Sequence, residues 1–143
     1  MIYKKSILFV LISLTFQACA TKNLSQGDLL YKAITQCKQK EVAILNIPSR
    51  GLLADTLSIS TVKSSGNDEG FGQNFSQSIH NGFTNIAVYS PSSLKSEALL
   101  SHTLNSYKDG ELKKISICVI GMEQNQALLN EANRTGSFIT FIP

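Results

Sequence analysis

The stretch from residue 85 to 142 constrains the fold most, because short apolar runs alternate there with segments of helical spacing. Asn85 to Tyr89 is a compact apolar run. Ser90-Pro91 fits an N-cap followed by proline at the first helical position. Leu94, Ala98, Leu100, Leu104 and Tyr107 then support a helix to residue 107, and Asp109-Gly110 makes a turn. Lys114 to Ile120 reads as a strand broken by Gly121, and Ala127, Leu128 and Ala132 lie on a helix closed by Gly136. Ser137 to Ile142 is a last strand. Strand–helix–strand–helix–strand implies parallel strands joined by crossover helices. Runs as apolar as 115–120 and 138–142 are expected to be covered on both faces.

Upstream the pattern is less regular. Ser25 with Asp28 three residues on is a variant capping box. Leu30, Ala33, Ile34 and Cys37 follow at i, i+3, i+4, i+7, which predicts a helix over 26–40. Val42 to Ile47 reads as a buried strand ending at Pro48, and Ser49-Arg50-Gly51 as a turn. Residues 57–62 alternate apolar with small polar side chains, which predicts a half-buried strand, antiparallel at a sheet edge. Ser64 to Gly72 reads as a loop, and Phe75, Ile79 and Phe83 as one face of a helix over 73–83. With 43% hydrophobic and 16% charged residues the composition is that of an ordinary globular protein. The expectation is a small single α/β domain over 26–143, with a mostly parallel sheet of about five strands.

The first residues carry a different message. Lys4 and Lys5 precede an uncharged, mostly apolar run from Ile7 to Phe16, the order and length of a cleavable export signal. The run is too short to cross the hydrocarbon as a helix. Phe16-Gln17-Ala18-Cys19 resembles the lipobox of bacterial lipoproteins. Ala18 matches the small residue before the cysteine, while Phe16 and Gln17 depart from the usual Leu and from the usual Ala or Ser. The resemblance implies that residues 1–18 are removed, that the Cys19 thiol carries a diacylglycerol, and that its new amine is acylated with a chain such as palmitate. Residues 19–25 then form a tether, and Ala20 after the cysteine implies sorting to the outer membrane, facing the periplasm. Ala18-Cys19-Ala20 also fits an ordinary A-x-A cleavage site, which would release a soluble periplasmic protein. Losing Lys4 and Lys5 lowers the net charge from +3 to +1, which gives no electrostatic case for nucleic acid.

The chemistry is sparse. Cys37 and Cys118 form an even pair in an oxidising compartment, and read either as a disulfide or as two buried thiols. Without C-x-x-C they are not a catalytic dithiol. The Gly66–Gly72 loop precedes a helix, as phosphate-cradling loops do, but Asp68 and Glu69 repel an anion and no P-loop lysine follows. Together with Arg50, at the carboxyl end of the first strand, Asp68 and Glu69 mark a candidate ligand or partner loop. Asp55, Ser58 and His80 supply the residue types of a hydrolase triad, but no serine sits in a G-x-S-x-G elbow. His80 and His102 read as surface or boundary residues, and no spacing predicts a metal site or cofactor.

The sequence therefore points to a membrane-anchored envelope lipoprotein that contacts another envelope protein and is not an enzyme. A periplasmic small-ligand binder is the alternative, and a hydrolase using Ser58 and His80 the third reading. A pocket lined by Arg50 would favour the ligand binder and an exposed apolar surface the partner model. The hydrolase requires Ser–His hydrogen-bond reach.

Overall fold

The computed structural model describes residues 23–143; the signal segment, Cys19 and most of the expected tether lie outside the described residues. Nine elements follow in chain order: α1 Gln26–Thr35, β1 Val42–Asn46, α2 Leu52–Ser65, α3 Phe71–His80, β2 Asn85–Tyr89, α4 Ser93–Asn105, β3 Ser116–Ile120, α5 Gln126–Thr135 and β4 Phe138–Ile142. The four strands pair in the order β1-β2-β3-β4, all parallel.

This order dictates the layers. Right-handed crossovers between successive neighbouring parallel strands place every connecting helix on the same face. Helices α2–α5 accordingly pack there: Val62, Phe71, Phe75, Leu99, Leu100, Leu104 and Leu128 meet Ile86, Val88, Ile117 and Val119. The opposite face belongs to α1, whose Leu29 and Ala33 sit on Ala87, Tyr89, Cys118 and Ile120. Within β2 and β3 both side-chain sets are buried, as expected of central parallel strands.

Local chemistry sets the helix ends. Ser25 and Asp28 close a reciprocal capping box on α1. Ser92 caps α4 through the Lys95 amide, and Asn125 caps α5 through the Leu128 amide. Arg134 of α5 donates to the Leu104 and Tyr107 carbonyls, satisfying the open end of α4.

Three expectations are corrected. Residues 57–62 are not an edge strand but the middle of α2. The sheet therefore has four strands among the described residues, with no antiparallel member. Covering on both faces holds for β3 but not for β4, because α1 lies over β1, β2 and β3 and leaves Phe138 72% exposed. In α1 the inward stripe starts at Leu29, while Leu30 and Ile34 are exposed.

The cysteines are bonded. Cys37, just beyond α1, joins Cys118 in β3 with a Cα–Cα distance of 6.0 Å. The bridge fastens the end of α1 to the centre of the sheet. Buried Gln39 adds a polar fastening, donating to the Ser116 carbonyl at 3.0 Å.

Candidate functional site

The carboxyl edge of a parallel sheet is where open α/β folds place their sites. Here that edge is closed by a lysine. Ser90 follows β2, Ser92 caps α4, and Lys95 in the first turn of α4 turns inward until its side chain is 1% exposed. Its Nζ donates to the Pro48 carbonyl at 3.0 Å. It also lies 3.3 Å from Glu69 Oε2 and 3.6 Å from Asp55 Oδ1. The ammonium thus donates to the Pro48 carbonyl and pairs closely with Glu69, while Asp55, at 3.6 Å, is an ion-pair neighbour beyond hydrogen-bond distance.

Each carboxylate is held in turn by its own segment. Asp55, in the first turn of α2, accepts from the Ser49 hydroxyl at 2.5 Å and the Arg50 amide at 3.1 Å. Burial pushes its pKa up, but the Ser49 and Arg50 hydrogen bonds and the Lys95 charge outweigh that and hold it below the ordinary 3.8. Glu69 accepts from the Ser58 hydroxyl of α2 at 2.5 Å. That bond, with help from Lys95, lowers its pKa below 4.5 against the opposing effect of burial. The cluster thus ties the end of β1, helix α2, the 66–70 loop and α4 together around one cation. It is a clamp around a buried cation already paired with two carboxylates, not an open anion site.

The candidate loop residues separate on folding. Glu69 and the Arg50 backbone join the clamp. Asp68 faces away from it and accepts from the Gly70 and Gly72 amides at the start of α3. The Arg50 side chain is exposed. The triad is not assembled: Ser58 is bonded to Glu69, Asp55 to Ser49, and His80 is exposed at the end of α3, beside the amino edge of the sheet. Among the described residues no group of three or more His, Cys, Asp or Glu is placed to hold a metal ion.

Beside the clamp lies a feature the sequence did not suggest. With α2 helical, Leu52, Leu53, Thr56 and Leu57 fall on one outward face; Leu52 is 83% and Leu53 81% exposed. Leu94 of α4 is exposed too and lines a groove of about 500 Å³ between α2 and α4 that Leu52, Leu53 and Leu57 do not line. Thr56, Ser60, Lys63, Glu97 and Ser101 give that groove polar walls, and Ile59 and Ala98 an apolar lining. Grouped exposed leucines rimmed by polar residues are what a docking surface looks like from one side.

No family model matches the chain, and no curated protein or solved structure matches it. Among the described residues no helix is long and apolar enough to cross a membrane.

Proposed function

We propose that this is an envelope lipoprotein, lipid-anchored at Cys19 on the periplasmic side of the outer membrane, that acts as a non-enzymatic docking module for another envelope protein. The observation that carries the docking reading is the exposed leucine face of α2, formed by Leu52, Leu53 and Leu57. The anchor rests on the order of residues 4–19: basic, apolar, small, cysteine.

Geometry joins the two parts. Leu24 donates its amide to the Tyr89 hydroxyl at 3.4 Å, so the described chain enters the domain near the carboxyl ends of the strands. The first turn of α2, with Leu52 and Leu53, starts from that same edge. A tether entering there presents the leucines to a partner held at the same membrane surface. The polar groove walls suit a protein surface better than acyl chains.

The ligand-binding alternative has less support, because the Lys95 side chain and its two carboxylates occupy the carboxyl edge where its pocket was expected.

The test is a photoreactive residue in place of Leu57 in the full chain, irradiated in bacterial membranes. The reading predicts a discrete protein adduct that Leu53→Asp abolishes without moving the unfolding midpoint, and that His80→Ala leaves intact. Adducts to phospholipid, or a protein adduct indifferent to Leu53→Asp, would contradict it.

A further inference from the structure

β4 is the last strand of the sheet in the described residues, and its outer edge is unusually bare. Phe-Ile-Thr-Phe-Ile contains no charge and no proline, the devices that normally blunt an exposed edge. The direction of its free backbone groups follows from those already bonded. Phe138 donates its amide to the Ile115 carbonyl, and Ile142 accepts from the Gly121 amide, so both point toward β3. Strand groups alternate, so Thr140 also points inward and Ile139 and Phe141 point outward.

We propose that β4 pairs with β4 of a second copy of this chain, antiparallel about a two-fold axis through Thr140. In that register Ile139 lies opposite the partner's Phe141, and each of these pairs exchanges both outward N–H and C=O groups. Thr140 faces its own symmetry mate as a non-hydrogen-bonded pair. The side chains match as well. Phe138, exposed on the α1 side, comes to lie across from the partner's Ile142 on the same face, while Ile139 and the partner's Phe141 meet on the helical side.

Charge at the two ends of the strand favours a second copy over an arbitrary peptide. Exposed Lys113 and Lys114 precede β3 at the end where β4 starts; with Glu111 beside them and Asp109 paired to Arg134 they leave that end with a net positive charge, and Lys113 packs beside Gly136 in the turn into β4. Exposed Glu123 lines a hollow with Ile139, Thr140, Phe141 and Pro143 at the other end. A two-fold axis brings the basic end of one copy toward the acidic end of the other, twice, as a self-complementary interface requires. The result is one continuous eight-stranded sheet from two four-stranded halves.

The test uses the full chain carrying Cys19→Ala, in which Thr140→Cys adds a thiol at the proposed axis. Non-hydrogen-bonded antiparallel pairs bring Cα atoms to about 4.5 Å, within disulfide reach. Mild oxidation is expected to give a covalent dimer from Thr140→Cys but not from Leu57→Cys. Thr140→Lys, which sets two ammonium groups face to face at an exposed position, is expected to convert a dimeric mass by light scattering to a monomeric one with unchanged circular dichroism. A monomer before substitution overturns the proposal. So does a dimer that survives Thr140→Lys or cross-links through Leu57→Cys.

Discussion

Lys95 decides the behaviour of the carboxyl edge. Removing one partner of a buried ion pair leaves the other charge stranded, which costs about 3–5 kcal/mol. Lys95→Met strands Asp55, although the Ser49 and Arg50 bonds remain and Glu69 is partly solvated, so the loss is expected near the lower bound, about 3 kcal/mol. Urea unfolding measures it, and Lys95→Met with Asp55→Leu should recover part of the loss. The pH dependence has a fixed sign. Both carboxyls have folded pKa values below their ordinary 3.8 and 4.5. Their contribution is complete above those values and is lost as pH falls through the lowered ones. Wild type should therefore lose stability on acidification below about pH 4.5, and a variant with Asp55→Leu and Lys95→Met should lose less. A lysine in a first helical turn ordinarily reads as solvated, and that is why the sequence did not expose it. Its one signal is spacing: Lys95 lies one turn before Leu99, on the inward stripe, whereas Leu94 is outward.

Element by element, the regular half of the chain was legible and the irregular half was not. β2, α4, β3, α5 and β4 fall close to their expected places because their apolar residues are the ones that fill the core, on both faces in β2 and β3 and on one face in the helices. Helix α2 does not. Its inner face uses Asp55, Ser58, Ile59 and Val62, and its outer face carries Leu52, Leu53 and Leu57. Leucine on the outside and polar groups on the inside cancel the helical period and leave an alternation that imitates a strand. Of the polar residues in that alternation, Thr61 bonds back to the Leu57 carbonyl of its own helix and Ser58 reaches Glu69. The same inversion turns Leu52, Leu53 and Leu57 outward, on the face proposed to dock. At this scale the disulfide is the main covalent constraint: it spans 81 residues, for which chain entropy gives about 4 kcal/mol. Replacing both Cys37 and Cys118 by Ala should lower stability by roughly that amount in denaturant titration, with early loss of hydrogen-exchange protection in α1.

Across the whole molecule, the proposed attachment and the proposed recognition fall on opposite faces of the sheet. α1 and the disulfide hold the segment that follows the tether, and the opposite helical layer presents the leucines. Leu53→Asp, at an exposed position, should change unfolding free energy by no more than about 0.5 kcal/mol while removing the photo-adduct formed at position 57. None of this division was readable beforehand, since it depends on which helices share a face. The lipobox-like residues, by contrast, are legible only in the sequence, because they lie outside the described residues. Tethering of this domain to a membrane is tested by the intact mass of the chain purified from bacterial membranes, before and after reduction. A lipid-anchored domain is expected to weigh residues 19–143 plus acyl groups and to gain two hydrogens on reduction. An unmodified chain beginning at Thr21 and recovered in the soluble fraction would contradict it.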